Sequence, residues 1–411
     1  MHLTKTSTAF DCFFPHLQCV DWKRPAAVAV SGGGDSMAML ASIIHFRKHE
    51  DLLAPVVVLT VDHGLRAESA DEANAVHAYC KAYAISHETL TWNGRTPTSA
   101  IAESARDIRR QLLLQACDAA GIEQLILAHT MDDVAETLLM RVRRGGLRGH
   151  ASIPPKTRIS SVHVYRPFLK VRRDTLRGAL QEEGVDWVED PTNDNLLYER
   201  PRIRSLLRTL EQTEYTTEEI ACYADVMSRW RRVLAGQISR ILDEGCEVSG
   251  SNLRIRTSVL ELYPKTVGVE TLRELVRFVG GDAHMINREQ ASLAWDSVLP
   301  VGGISKRFSA GRCVFSPQRD GTWILSRAMR ALPTQRISKG QSIRWDGRFK
   351  IRNLDEKSEA ATILPHSNLP KVEPDTAKCD IIFRPRVIDG PVSCLDEVIF
   401  ASFSAMLEQA N

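Results

Sequence analysis

The segment Ser31-Gly32-Gly33-Gly34-Asp35-Ser36 places three glycines and a carboxylate between two hydroxyls, directly after the apolar run Ala26–Val30 and before a helical pattern. A strand that turns through glycines into a helix aims several backbone N–H groups at one point, and the helix dipole adds positive potential there. Such a turn suits phosphate, with Ser31 and Ser36 as extra donors. Asp35 has the wrong charge for a phosphate donor. Its expected work is to hold Mg2+ against phosphates or to orient the group being activated. No Gly-Lys-Ser/Thr follows, so this is not a Walker A loop, and Met37 stands where a dinucleotide fingerprint needs its third glycine. An ordinary turn with an acid at the helix start accounts for Asp35 alone, not for the glycines and serines around it.

A second group of chemically capable residues lies downstream. In a helix starting near Thr130, Asp133 and Glu136 are three apart and Asp132 and Glu136 four apart, so all three acids share a face. Arg106 and Arg109 likewise share a face and are suited to neutralise charge developing on a transferring phosphate. Each group has a plainer reading. Thr130 with Asp133 is close to a capping box, the arginines suit a solvated helix face, His129 suits a strand end, and Asp62-His63 suits a turn.

The elements that position these residues alternate. Strand signals at 26–30, 55–61, 87–92 and 124–128 are separated by helical patterns at 37–49, 70–84, 99–120 and 131–144. Repeated β–α units predict a parallel sheet with helices on both faces, and ligands bind beyond the carboxyl ends of such strands. The Ser31–Ser36 loop, Asp62-His63 and His129 all fall at such ends. Helical signals near 172–183, 202–245 and 269–279 follow, with a polar break at Glu211–Thr217. Beyond Gly302 short strand patterns take over, and Trp345-Asp346-Gly347-Arg348 reads as a hairpin turn. The expected class is therefore α/β: a parallel-sheet domain over 1–210, a helical or mixed domain over 218–330, and a small β-rich domain over 334–411.

Composition narrows the class. At 411 residues the chain exceeds one ordinary core, and a 43% hydrophobic and 25% charged make-up is that of a globular protein. Met1–Val20 lacks the cationic start and apolar core of a signal peptide, and no apolar run is long enough to span a bilayer. The nine cysteines are scattered without a Cys-x-x-Cys pair, which suits a reducing cytoplasm and gives no zinc or redox signature. Buried structural thiols are the expectation. The net charge of +2 is uninformative, but basic residues cluster over 141–208.

The hexad resembles the PP-loop of the N-type ATP pyrophosphatases, which cleave ATP between its α and β phosphates. Four further segments resemble one subfamily, tRNA(Ile)-lysidine synthase: Val61-Asp62-His63-Gly64-Leu65-Arg66, the helix Glu103-Ser104-Ala105-Arg106-Asp107-Ile108-Arg109, His129 through Asp132, Asp133, Glu136 and Thr137, and Asp190-Pro191-Thr192-Asn193 leading to Tyr198, Arg200, Ile203 and Arg204. The resemblance covers about the first half of the chain. It implies a ligase that adenylates O2 of the wobble cytidine of a tRNA(Ile) with a CAU anticodon, then lets free L-lysine displace AMP. It implies ATP contacts at Ser31, Gly32, Gly33, Gly34, Asp35 and Ser36, with Asp62, His63 and His129 beside them, and Mg2+ at Asp35. Lysine arrives as an ammonium and must react as an amine, so acids are needed to capture the cation and accept its proton. Asp133 and Glu136 are the expected lysine-binding pair, with Asp132 nearer the metal or the cytidine.

On the RNA side, Arg141, Arg143, Arg144, Arg148, Lys156, Arg158, Arg166, Lys170, Arg172 and Arg173, with Arg200, Arg202, Arg204 and Arg208, form a basic stretch with few acids among its members, a candidate phosphate track. Arg144, Arg148, Arg200 and Arg204 are the specific tRNA candidates, and Tyr165, Trp187 and Tyr198 are candidate base platforms. The chain departs from the subfamily pattern at Val134, Pro201 and Arg110 and in a shortened glycine loop around Gly145, Gly146 and Gly149. Two alternatives remain open at this point: a PP-loop tRNA thiolase, which needs sulfur-carrying cysteines or an iron–sulfur cluster, and a tRNA-binding protein without turnover. The oligomeric state is left open.

Overall fold

The computed structural model describes residues 8–50, 54–62, 69–92, 101–144, 152–159, 161–189, 195–282, 285–302, 305–354, 360–366, 369–373, 379–383, 392–393 and 406. His63, Arg148, the glycine cluster 145–149 and the segment 190–194 lie outside them, as do the side chains of Glu103 and Arg144. The chain gathers into two compact units, 1–231 and 232–411.

In the first unit a short helix α1 (Phe14–Leu17) precedes the expected alternation: β1 (Ala26–Ala29), α2 (Gly34–His49), β2 (Val56–Asp62), α3 (Ser69–Ala82), β3 (Ser86–Thr91), α4 (Ile101–Ala119), β4 (Gln124–Ile126) and α5 (Met131–Arg144). The basic stretch then forms a hairpin, β5 (Lys156–Ile159) and β6 (Val162–Tyr165), followed by α6 (Arg173–Glu182), α7 (Glu199–Glu211) and the start of α8 (Thr217–Gly245), whose residues from 232 on belong to the second unit. The strands lie in the order β5–β6–β4–β1–β2–β3. All neighbours are parallel except β5 with β6.

The central position of β1 explains its composition. All four residues of Ala26–Ala29 are buried, and a parallel strand covered on both faces reads as an apolar run. Helix α2 is likewise buried nearly all round, from Met37 and Met39 through Ile43 and Phe46, as expected of a helix without a polar face. Because β1 is central and parallel to both neighbours, the carboxyl ends of β1, β2 and β4 come together. The Ser31 loop, Asp62 and His129 follow from those three ends.

The second unit has its own core. Strands β7 (Cys246–Ser249) and β8 (Asn252–Arg256), helices α9 (Thr257–Leu260), α10 (Lys265–Gly280) and α11 (Arg288–Val298), and strands β9 (Phe308–Ala310), β10 (Cys313–Pro317) and β11 (Thr322–Arg327) build an antiparallel sheet β7–β8–β11–β10–β9. Leu272, Leu275, Trp295, Phe315 and Trp323 fill the space between helices and sheet. Two small antiparallel sheets follow: β12 (Gln335–Ser338) with β15 (Ala360–His366) and β16 (Leu369–Glu373), and β13 (Ser342–Trp345) with β14 (Phe349–Asn353) and β17 (Cys379–Phe383). The expected hairpin joins β13 to β14, with Asp346 and Gly347 both at positive φ. A Cβ on Gly347 would fall 1.9 Å from the Gly281 carbonyl oxygen, so only glycine fits there.

Candidate active site

The glycine loop is built by its own hydroxyls. Ser36 Oγ donates to the Gly33 carbonyl at 2.8 Å and accepts from the Ser31 amide at 3.1 Å, which closes the turn. Gly32 sits at φ +83°, a left-handed conformation that a side chain occupies only with strain. From the side, Val188 bridges to Gly33 and donates its amide to the Gly32 carbonyl at 2.9 Å. The cap of α2 at Gly33 carries no side-chain hydrogen bond. Ser36 donates its amide to the Gly33 carbonyl at 3.0 Å, so the amides open at this helix start, among the described residues, are those of Gly34 and Asp35, the arrangement that binds anions. Trp187 packs on this loop, 3.3 Å from where a Gly34 Cβ would stand, and donates its indole N–H to Glu189 at 2.8 Å.

Asp35, in the first turn of α2, accepts from Arg173 Nε at 3.0 Å through Oδ2, while its Oδ1 is buried without a partner. Burial, opposed by the Arg173 guanidinium, leaves its carboxyl above the usual range. An unpartnered buried carboxylate oxygen beside open amides is a fitting ligand for a divalent cation that accompanies phosphates.

The acids of α5 divide their work. Asp132 accepts from the backbone amide of Arg173 at 2.8 Å and lies against the Arg172 guanidinium, so it caps the start of α6. Asp133 does two jobs. Its Oδ2 accepts from the Thr130 amide at 2.8 Å, while Thr130 Oγ1 accepts from the Asp133 amide, which is the capping box; its Oδ1 takes Arg173 at 3.0 Å and Arg200 at 2.6 Å. Burial alone would raise the Asp133 carboxyl, but Arg200, His129 and Arg173 hold it down at about 2. Glu136, with no exposed surface, receives Arg173 at 3.1 Å, Arg200 at 2.6 Å and Arg204 at 2.9 Å. Its carboxyl too lies below the usual range, because the arginines outweigh burial. Arg173 is thereby shared among Asp35, Asp133 and Glu136. The same three acids keep its guanidinium more firmly protonated than usual, despite burial.

Burial, then the guanidiniums of Arg166, Arg200 and Arg109, push His129 down to about 4 against the pull of Asp133. The imidazole is neutral at pH 7, and its Nδ1 is buried without a partner. Arg109 is partly buried on α4 and Arg106 is exposed; burial, then the neighbouring Arg106, lower the Arg109 pKa. Asp62 ends β2, partly buried.

The basic stretch is different from its sequence appearance. Arg200 and Arg204 turn inward onto Asp133 and Glu136. Arg172 pairs with Glu211 and Glu218, each at 2.8 Å, and Arg143 pairs with Glu199 at 3.0 Å. Arg166 donates to the Pro154 carbonyl at 3.0 Å. Lys156, Arg158, Lys170, Arg202 and Arg208 remain exposed. Tyr165 is a core residue, 7% exposed, and no base can stack on it; Tyr198 stays open at 44%. The three departures have local reasons. Val134 is buried with Leu138 against Ala221 and Ala224 of α8, where a glutamine would lose its hydrogen bonds. Pro201 stands in the first turn of α7, where no amide partner is forfeited. Arg110 pairs with Asp107 at 3.0 Å. Of the eight described cysteines, Cys80, Cys117 and Cys313 are buried, whereas Cys12, Cys19 and Cys222 are exposed, so burial describes only some of the thiols. No helix among the described residues is long and apolar enough to cross a membrane.

Arg173 is the functional candidate that sequence reasoning passed over, counted only among the basic residues. Its signal is faint: an arginine at the start of a helix shortly after β6, with nothing local to show three distant acids converging on it.

Known proteins resemble this chain over most of its length. Residues 6–210 match the PP-loop domain. The tRNA(Ile)-lysidine synthase of Mesorhizobium japonicum is 34% identical over 355 residues, covering 84% of this chain and 76% of that protein. Those of Ruegeria pomeroyi and Brucella anthropi are 32% and 31% identical, covering 80% of this chain and 77% and 74% of theirs. With a PP-loop domain over its first half and this identity over most of its length, the chain belongs to the tRNA(Ile)-lysidine synthase family.

Proposed function

We propose that this chain is the ligase that joins L-lysine to C2 of the wobble cytidine in a tRNA(Ile) with a CAU anticodon, consuming ATP. Cytosine O2 attacks the α-phosphorus and expels pyrophosphate; the ε-amine of lysine then attacks C2, expels AMP and loses its proton. Cytosine O2 is a poor leaving group until adenylation makes it part of AMP. The loop Ser31–Ser36 and the open start of α2 hold the phosphates, with Asp62, His63 and His129 near the nucleotide. Arg106 and Arg109 offset charge on the phosphorus being attacked. Asp133 and Glu136 receive the lysine ammonium. Mg2+ would be held by Asp35, where it supplies charge neutralisation for the departing pyrophosphate.

One observation carries this reading. Arg173 contacts Asp35 of the phosphate loop and the Asp133–Glu136 pair with one guanidinium, so the acid of the ATP step and the acids suited to an amine lie within one side chain's reach. The tRNA is received by the exposed basic residues of the first unit together with Arg144 and Arg148, and by the segments 218–330 and 334–411 as recognition domains, with 1–210 as the catalytic domain. The reaction is placed in the cytoplasm, where tRNA is processed. Mass spectrometry of tRNA(Ile) incubated with protein, ATP and lysine tests the proposal. A nucleoside gaining one lysine supports it, and a nucleoside gaining sulfur, or none gaining mass with well-folded protein, overturns it.

A further inference from the structure

We propose that Arg173 is a positioning residue that makes lysine binding depend on prior binding of the nucleotide, an inference that rests on the reaction proposed above. Its guanidinium donates Nε to Asp35 Oδ2 at 3.0 Å, Nη2 to Asp133 Oδ1 at 3.0 Å and Nη1 to Glu136 Oε1 at 3.1 Å. Only 12% of the side chain is exposed. With Arg200 on Asp133 and Glu136 and Arg204 on Glu136, the cluster holds three guanidiniums and three carboxylates, and it is neutral.

Within it the Asp133–Glu136 pair is fully engaged and has nothing to offer an ammonium. Asp133 Oδ2 is engaged by the Thr130 cap, Asp133 Oδ1 already takes two guanidinium N–H groups, and both oxygens of Glu136 are engaged. A lysine cation entering here must displace a cation, and the displaced charge then needs an anion. Arg200 pairs with Asp133 and Glu136 and Arg204 with Glu136, and neither pairs with Asp35. Arg173 alone among the three also reaches Asp35, beside the amides that receive phosphate. A polyphosphate bound there adds negative charge next to Asp35 and draws the guanidinium away from the α5 pair. That vacates Asp133 Oδ1 and Glu136 Oε1 by one cation, and the lysine ammonium restores the balance. Before nucleotide binds, Arg173 occupies the place of the substrate's charge; afterwards it belongs to the phosphates. Its backbone is fixed throughout, because Asp132 caps its amide, so only the side chain moves.

The test is calorimetric titration of L-lysine into the full chain, with and without an ATP analogue carrying a methylene bridge between the α and β phosphates. Wild type is expected to bind lysine at least about tenfold more tightly with the analogue, about 1.4 kcal/mol. Arg173→Gln is expected to bind lysine without nucleotide and to gain less than about twofold from it, and Arg173→Lys is expected to restore part of the dependence. Equal lysine affinity of wild type with and without the analogue overturns the coupling alone, as does a full tenfold gain in Arg173→Gln. Should wild type that binds the analogue take up no lysine in either state, the lysine assignment itself fails and the coupling with it. The wild-type comparison decides the matter even if a variant does not fold.

Discussion

Replacing Asp133 by Asn separates charge from shape at the most heavily used carboxylate of α5. The amide keeps one carbonyl oxygen and nearly the same volume, so what is lost is the negative charge facing Arg173 and Arg200 at 3.0 and 2.6 Å. A carboxyl held at about 2 in place of its ordinary 3.8 contributes about 2–3 kcal/mol to the folded state at pH 7. The sign follows from the depressed value: the contribution is complete above the unfolded pKa near 3.8 and disappears as pH falls through about 2. At pH 3 about half of it remains. Hydrogen exchange of the amides in Met131–Arg144 reads this locally, without requiring the two units to unfold together. Asp133→Asn is expected to lower protection there by about 60-fold at pH 7 and by about tenfold at pH 3, each relative to wild type at the same pH. A loss of equal size at both pH values, or no loss at pH 7, refutes the claim that Asp133 is an ionised partner of the arginines.

Other perturbations separate the parts of the site. Gly32→Ala forces a side chain into φ +83°, at a cost of about 1–2 kcal/mol; calorimetry is expected to show weakened nucleotide binding, whereas Gly121→Ala, strained at φ +65° away from the loop, leaves it unchanged. Asp35→Ala is expected to abolish pyrophosphate release while filter binding shows normal tRNA affinity. Glu136→Ala is expected to keep most adenylation and raise the KM for lysine; equal loss of the adenylated tRNA in both variants contradicts this division. In the second unit, Asp346 accepts from Arg312, Arg327 and Arg348, so Asp346→Asn leaves buried guanidiniums short of an anion and is expected to destabilise that unit by about 3–5 kcal/mol, seen as faster proteolysis of 332–383.

The first four strand–helix pairs were legible in the sequence because strands and helices alternate in it: short apolar or β-branched runs for the strands, longer helix-forming stretches between them, and glycines at the first turn. The ends of β1, β2 and β4 therefore came out correctly as a cluster. The hairpin β5–β6 did not, because Lys156–Ile159 and Val162–Tyr165 are short and lie in a stretch dominated by arginine and proline. Charge misled in the same region. Arginines counted together along 141–208 suggested a solvent-facing track, but Asp132, Asp133 and Glu136 upstream, with Glu211 and Glu218 downstream, fold back onto Arg172, Arg173, Arg200 and Arg204. Spacing reveals partners within one helix, and these partners lie on different ones. Asp133 shows the same limit from the other side: Thr130 three residues earlier announced the cap, and nothing nearby announced Arg173 or Arg200.

The central claim is that the loop between β1 and α2 presents the α-phosphorus of ATP to a tRNA base. Following ATP labelled at the γ position, with lysine omitted, tests it most directly. Label appearing in pyrophosphate only when tRNA(Ile) is present, together with an adenylated tRNA, is the expected result. Label appearing as inorganic phosphate with ADP, or pyrophosphate forming without tRNA, contradicts the account.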